Sequence, residues 1–240
     1  GVPEVARGDD IAEIALAACA ASDERLKDGD VIVVAQKIVS KAEGRMVRLA
    51  DVTPSPRAEM LAAVVGKDAR IVELILSEST QVLRAERNVL IVVHRLGFVL
   101  ANAGIDQSNV APDSGDQLAL LLPTDPDGSC GRLREALRQR CGANVAVIIN
   151  DSLGRAWRAG TVGTALGVSG LPALLDLRGK ADRHGRVLRS TEVGFADEIA
   201  AAASMVMGQG AEGRPLVLVR GLPFEPKPGR AADLLRRPDQ

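Results

Sequence analysis

The stretch Val145-Ala146-Val147-Ile148-Ile149, followed directly by Asn150-Asp151-Ser152, joins a structural signal to a chemical one. Its first five residues are apolar and mostly β-branched, which predicts a strand buried on both faces of a sheet. Similar runs at residues 31–34, 89–93 and 216–219 predict three further buried strands. Ligands often bind just outside the carboxyl ends of such strands, so we expect Asp151 and Ser152 to lie at a site.

Helical spacing of apolar residues marks the segments between these runs. Residues 10–26 predict an amphipathic helix capped by Asp9 or Asp10. Further helices are predicted within residues 57–76, 130–141 and 196–208, and another strand at residues 118–122. Strands and helices do not alternate regularly. The pattern therefore predicts an α+β protein with mixed sheets and flanking helices.

The composition excludes several classes of protein. With 30 Lys and Arg against 31 Asp and Glu, the net charge is -1, which argues against broad binding to nucleic acid. No apolar run approaches the roughly 18 residues of a membrane-spanning helix, which argues against a membrane protein. The first ten residues lack the pattern of a signal peptide, so a cytoplasmic location is expected.

The inventory of reactive side chains is narrow. Three scattered cysteines and two histidines exclude a cysteine zinc site and leave little room for a Ser-His-Asp triad. Neither a P-loop nor a G-x-G-x-x-G turn is present. The chemistry is left to carboxylates, amides, Lys, Arg and the backbone, which suit hard metal ions and phosphate.

Two acidic positions are candidate metal ligands. Asp106 lies in a Gly-bearing loop with Asn109 three residues later, although an Asx-turn explains the same pattern. Asp151 and Ser152 follow a buried strand and form a typical pair of oxygen ligands, but either could instead cap a helix.

Three other segments are candidates for binding anions or nucleotides. Lys37 and Lys41 follow the first buried strand as a phosphate cradle or as a solvated basic face. Residues 207–213 hold three glycines that would let the backbone approach a ligand, or would simply end a helix.

The third of these segments contains Arg155 and Arg158 on either side of Trp157. We interpret the two arginines as an anion clamp on one face of an extended segment, with Trp157 on the other face. The alternative is a surface turn with Trp157 tucked into the core. His94 and His184 are interpreted as turn residues.

Taken jointly and in order, several strings resemble the coenzyme F420:L-glutamate ligase family, also called F420-0:gamma-glutamyl ligase. The resemblance spans nearly the whole chain. The strings are Val2-Pro3-Glu4, Asp28-Gly29-Asp30 with the following strand, Val39-Ser40-Lys41-Ala42-Glu43-Gly44-Arg45, Gly104-Ile105-Asp106-Gln107-Ser108-Asn109-Val110, Asp151-Ser152-Leu153-Gly154-Arg155-Ala156-Trp157-Arg158, Asp197-Glu198-Ile199-Ala200 and Val219-Arg220-Gly221.

This resemblance implies a reaction and an assembly. Family members use GTP to join L-glutamate to the carboxylate of coenzyme F420-0 and then add further gamma-linked glutamates, releasing GDP and phosphate. It implies two divalent ions, Mg²⁺ or Mn²⁺, and a K⁺ ion. It also implies an interwound homodimer of two-lobed subunits, with one ligase domain over residues 1–240. A strand before Gly1 and the C-terminal flavin-binding domain of some relatives are expected to be missing.

The resemblance also assigns roles by position. The metal ligands would be Asp106, Asp151, Ser152 and Gln209. The nucleotide would contact Val2, Pro3, Glu4, Val5, Gln36, Lys37, Lys41, Asn109, Met207, Gly208, Gln209, Gly210, Ala211, Glu212, Gly213 and Arg214. We assign Arg155 and Arg158 to an anionic group of the acceptor, and count them with Asp106 and Asp151 as catalytic.

Two other functions use the same residues. A metal-dependent hydrolase of nucleotides or phosphate esters would employ Asp106 and Asp151 with water as the acceptor. A non-catalytic dimeric nucleotide-binding protein is the third hypothesis, and the presence of all the candidate polar residues argues against it. Turnover of GTP without glutamate or F420-0 would distinguish the hydrolase from the ligase.

Overall fold

A computed structural model describes residues 2–108 and 117–236. Within them the chain is an α+β protein, as the sequence predicts. Its helices are α1 (Ile11–Ala21), α2 (Gln36–Ala42), α3 (Pro56–Val65), α4 (Ala69–Ser77), α5 (Pro126–Cys141) and α6 (Phe195–Met207). Its strands are β1 (Val31–Ala35), β2 (Met46–Arg48), β3 (Ser79–Glu86), β4 (Val89–His94), β5 (Val99–Ala101), β6 (Leu118–Leu120), β7 (Ala146–Arg155), β8 (Arg158–Ser169), β9 (Leu175–Asp176), β10 (Glu192–Val193) and β11 (Leu216–Val219).

The largest sheet has the strand order β11-β1-β7-β8, with β1 and β7 parallel and the other pairs antiparallel. Residues 31–34 and 146–149 are buried on both faces, which explains their continuous apolar sequence. The parallel register places Ala35 opposite Asn150. The start of α2 therefore lies beside the polar residues of β7.

Strand β7 is longer than its apolar run predicts. It continues through Asp151 and Ser152 to Arg155 and turns directly into β8. The expectation that Asp151 and Ser152 follow the end of the strand is therefore wrong, and so is the alternative that they cap a helix. The apolar run stops because β7 leaves the protein interior, not because the strand ends.

Helices α5 and α6 pack against β8, and two glycines permit the close contact. A Cβ at Gly163 would lie 2.4 Å from the carbonyl oxygen of Ala200 on α6, and one at Gly167 would lie 2.5 Å from Pro126 on α5. Between these glycines the register of β7 and β8 shifts, and Leu166 is left without a partner. Such a bulge exchanges the faces of the strand, so the two glycines meet different helices.

A second hydrophobic cluster is built from α3, α4 and residues of β4 and β6. Strands β3, β4 and β5 form one antiparallel sheet here, and β2 pairs with β6. Strand β4 alternates buried with more exposed residues, so the prediction that it is buried throughout is wrong. Asp106 joins this region through paired backbone bonds with Leu120, at 3.1 and 2.8 Å.

Candidate functional site

Helix α2 begins directly after β1 and carries three of the predicted residues into one cleft. Gln36 is buried, and its Oε1 accepts a hydrogen bond from Ser40 at 3.0 Å. The ammonium group of Lys41 is buried against the carboxylate of Glu4, which comes from the N-terminal segment. Lys37 forms an ion pair with Asp106 at 2.6 Å. The interpretation of Lys37 and Lys41 as a solvated basic face is therefore wrong, because both lysines form ion pairs with carboxylates.

Asp106 is fixed by three kinds of contact. Its Oδ2 accepts from Lys37, its Oδ1 accepts from the backbone N–H of Ser108 at 2.7 Å, and its backbone pairs with Leu120. The Asx-turn and the contact with the cleft thus coexist. Burial alone would raise the pKa of Asp106, but the bonds from Lys37 and Ser108 hold that pKa below its ordinary value.

The loop before Asp106 has an uncommon backbone. Asn102, Ala103 and Gly104 all have positive φ, at 54°, 52° and 67°. Only glycine adopts this region without cost, so Asn102 and Ala103 are strained positions that the surrounding structure must impose. Buried Ala103 anchors the turn in the second hydrophobic cluster, which places Asp106 beside Lys37.

The pKa of Asp151 is shifted in the opposite direction from that of Asp106. Burial of its carboxylate, followed by a smaller contribution from the nearby negative charge of Asp106, raises the pKa of Asp151 to about 6. Residue Asp151 as a whole is only half-buried, because one side of it faces the cleft. The charge of Lys37 acts on both Asp106 and Asp151, so this corner of the cleft carries more negative than positive charge.

The loop after α6 completes the cleft. Gly208 has a φ of 77° and ends the helix, which lets the chain fold back over it. Gln209 then lies between two serines: its Oε1 accepts from Ser152 at 2.7 Å and its Nε2 donates to Ser204 at 3.0 Å. The backbone N–H of Gly210 donates to Glu212 at 2.8 Å.

These elements surround one cleft of about 420 Å³. It is lined by residues that the sequence assigned to a nucleotide or a metal ion: Val2, Pro3, Glu4, Val5, Gln36, Lys37, Lys41, Asp151, Ser152, Met207, Gly208, Gln209, Gly210, Ala211, Glu212, Gly213 and Arg214. Asp106 adjoins the cleft through Lys37. Asn109 lies outside the described residues.

Four lining residues were not predicted from the sequence, because nothing in their local pattern separates them from the neighbouring strands and helix: Ala35, Ile38, Asn150 and Pro215. Asn150 is the informative one. Its side chain is buried, its Nδ2 meets the sulfur of Met207 at 3.5 Å, and its Oδ1 has no hydrogen-bond partner within residues 2–108 and 117–236. An unpaired buried amide oxygen costs roughly 1–3 kcal/mol, so its place in a cleft wall suits contact with a ligand. The signal in the sequence was a lone amide next to Asp151.

The donor set fits a hard divalent ion. Asp106, Asp151, Ser152 and Gln209 offer carboxylate, hydroxyl and amide oxygens, which are the ligands that Mg²⁺ and Mn²⁺ prefer. Within residues 2–108 and 117–236 no group of three or more His, Cys, Asp or Glu residues is placed to hold a metal. A cation here would therefore depend on neutral oxygens and on substrate phosphates as well as on the two carboxylates.

Arg155 and Arg158 lie at the tip of the β7–β8 hairpin and do not line the cleft. They pair directly across the hairpin, so they share one face, as predicted. The reasoning behind the prediction was wrong, because side chains three positions apart in an extended segment point to opposite faces. Ala156 and Trp157 instead form a tight turn that sets the two arginines opposite each other. Trp157 has a φ of 60° and is fully exposed, so its placement in the core is wrong.

His94 is a buried residue at the end of β4. Its Nδ1 accepts from the backbone N–H of Leu96 at 3.0 Å, and its Nε2 lies 3.5 Å from Glu78. Glu78 also pairs with Arg45 and Arg95. His94 is thus the turn residue that the sequence predicts. Among the described residues no helix is long and apolar enough to cross a membrane.

Comparisons with known proteins agree over nearly the full chain. The family described as F420-0:Gamma-glutamyl ligase matches residues 1–221. Coenzyme F420:L-glutamate ligase of Methanothermobacter thermautotrophicus is 48% identical over 93% of this chain and 87% of its own length. The proteins of the same name from Methanopyrus kandleri and Archaeoglobus fulgidus are 43% and 46% identical, over 99% and 92% of this chain and 92% and 85% of their own lengths.

Proposed function

We propose that this chain, which belongs to the F420-0:gamma-glutamyl ligase family, joins L-glutamate to coenzyme F420-0 with GTP as the energy source and then adds further gamma-linked glutamates. The observation that carries the proposal is the cleft described above, in which cations, oxygen ligands and a glycine-bearing loop lie together.

The chemistry requires an activated carboxylate, because a carboxylate does not react with an amine at neutral pH. An oxygen of the F420-0 carboxylate attacks the γ-phosphorus of GTP, and the bond from that phosphorus to GDP breaks. The nitrogen of glutamate then attacks the acyl carbon of the resulting acyl phosphate. The C–N bond forms, the C–O bond to phosphate breaks, and the nitrogen loses a proton.

The protein's part in this chemistry is positioning and charge. Lys37 and Lys41 offer positive charge to the phosphates, while residues 207–214 bring backbone groups close to them. Asp106, Asp151, Ser152 and Gln209 would hold Mg²⁺ or Mn²⁺, which neutralises charge on the transferred phosphoryl group. A K⁺ ion is proposed to assist. Residues 2–5 line the cleft and would contact the guanine edge through their backbone.

The acceptor is assigned to the exposed pair Arg155 and Arg158, whose guanidinium groups suit a carboxylate or phosphodiester. Because this pair stands outside the cleft, the proposal needs the hairpin to reach a second copy of the chain or to approach its own cleft when substrate binds. We propose a homodimer of two-lobed subunits, with the two hydrophobic clusters as the lobes, in which the hairpin of one copy would reach the cleft of the other.

Mass spectrometry of F420-0 after incubation with GTP, Mg²⁺ and L-glutamate tests the function. We expect mass increments of glutamyl residues and release of GDP. Omitting glutamate is the control that separates the ligase from a hydrolase, which would turn over GTP without glutamate or F420-0. Unmodified F420-0 in the complete mixture would contradict the proposal.

A further inference from the structure

The side chain of Gln209 is held at both ends of its amide. Its Oε1 accepts from the Ser152 hydroxyl at 2.7 Å, while its Nε2 donates to the Ser204 hydroxyl at 3.0 Å. Gln209 itself is exposed at the cleft, whereas Ser204 is 8% exposed and lies within α6. An exposed glutamine thus takes its orientation from a buried hydroxyl.

The position of Ser204 is set by the packing of α6 on β8. A Cβ added at Gly163 would lie 2.7 Å from the Cβ of Ser204, so the helix and the strand are in direct contact there. Gly163 of β8 is also the strand partner of Ser152 on β7. The packing of α6 on Gly163 therefore fixes the position of Ser204 relative to Ser152. Gly208 ends α6 and reverses the direction of the chain, so that the side chain of Gln209 lies between Ser152 and Ser204.

We propose that Ser204 is a positioning residue that turns the amide of Gln209 so that its oxygen stands beside the Ser152 hydroxyl as a preformed pair of ligands for a divalent cation. This inference rests on the proposed function, because the cation is the one that the cleft is proposed to hold. Ser204 acts only through Gln209 and contacts neither the cation nor a substrate.

The physical basis is the cost of orienting a long side chain. Without a partner for Nε2, Gln209 samples several rotamers on an exposed loop, and only some of them direct Oε1 towards Ser152. Residues that orient metal ligands change metal affinity by about tenfold to a hundredfold when they are removed.

The test is a Mn²⁺ titration followed by electron paramagnetic resonance, in the presence of GDP and without turnover. We expect Ser204→Ala to weaken Mn²⁺ binding about tenfold or more, while GDP affinity without metal and the melting temperature change little. Ser77→Ala is the matched control: its hydroxyl donates to the Leu74 carbonyl at the end of α4, in the second hydrophobic cluster, and we expect wild-type Mn²⁺ affinity.

A double-mutant cycle with Gln209→Ala separates positioning from a general effect on the fold. If Ser204 acts through Gln209, then Ser204→Ala has no further effect on Mn²⁺ affinity once Gln209 is Ala. Additive losses, or wild-type Mn²⁺ affinity in Ser204→Ala, overturn the inference and leave the ligase proposal intact. A wild-type protein that binds no Mn²⁺ overturns the inference together with the proposed metal site. Glutamyl addition by the wild type is measured separately and tests the ligase alone.

Discussion

Replacement of Asp151 by Asn should make the metal-free protein more stable and the enzyme inactive. Burial and the charge of Asp106 raise the pKa of Asp151 to about 6, against 3.8 for the free side chain. The folded state therefore binds a proton more tightly than the unfolded chain. The stabilisation that protonated Asp151 gives to the folded state is fully present below about pH 4 and is lost as the pH rises to about 6.

The size of the effect follows from the shift in pKa. A difference of about two pKa units corresponds to roughly 3 kcal/mol of unfolding free energy, which is the cost of keeping Asp151 ionised in the cleft at pH 7. Asn keeps the shape and carries no charge, so Asp151→Asn removes that cost. A bound divalent cation would also offset it, and linkage gives about 2.7 kcal/mol of stabilisation at a ligand concentration of 100 times Kd.

The assay is urea unfolding of wild type and Asp151→Asn at pH 4 and pH 7 in EDTA, repeated at pH 7 with Mn²⁺ and GDP. The advantage of the variant over wild type in EDTA should grow by up to about 3 kcal/mol between the two pH values. Adding Mn²⁺ to the GDP complex should further stabilise wild type but not Asp151→Asn. Asp176→Asn is the control: Arg178 holds the pKa of exposed Asp176 at about 2, so this change should give no such growth between pH 4 and 7. An equal difference at both pH values, or a Mn²⁺ effect that survives in Asp151→Asn, would refute the reasoning.

Three other perturbations test packing and binding. Gly163→Ala should destabilise the protein by about 1–3 kcal/mol in urea unfolding, because its Cβ would meet the Ala200 carbonyl. Gly131→Ala is the control: it has open space inside α5 and should stabilise the protein by roughly 0.5–1 kcal/mol. Equal effects of the two changes would contradict the close contact at Gly163. Deleting residues 1–5 should weaken GTP binding and reduce its preference over ATP in a competition titration, and an unchanged preference would move the base elsewhere. Arg158→Lys should raise the KM for F420-0 about tenfold to a hundredfold, because the loss of one charge-assisted hydrogen bond costs roughly 1.5–3 kcal/mol. The affinity for GDP with Mn²⁺ should stay nearly unchanged. The reverse result would assign Arg155 and Arg158 to the nucleotide.

Local patterns in the sequence were sufficient where local physics decides structure. Apolar runs located β1 and the start of β7, and Asp10 accepts hydrogen bonds from the first turn of α1 as its capping residue should. The family resemblance, which depends on ordered short strings, was equally accessible and was confirmed by the match over residues 1–221.

The ends of elements were less accessible. The polar residues 150–152 looked like the end of a strand, because the apolar run stops at Ile149, although backbone pairing with β8 continues to Arg155. The alternative that placed Trp157 in the core rested on its hydrophobicity, yet a tight turn exposes it fully. In both cases the pairing of β7 with β8 as a hairpin decided the outcome.

The sequence by itself determined the fold class, the family and the types of residue that line the cleft. Only the tertiary structure decided which of those residues meet. Lys37 and Asp106 are 69 positions apart along the chain, and Ser152 and Gln209 are 57 positions apart, yet each pair forms a direct hydrogen bond or ion pair. Backbone pairing of Asp106 with Leu120 and the packing of α6 on Gly163 help to position these residues, and such long-range contacts leave no periodic trace in a single sequence. The raised pKa of Asp151 has the same origin, because it depends on burial and on a charge supplied from a distant loop.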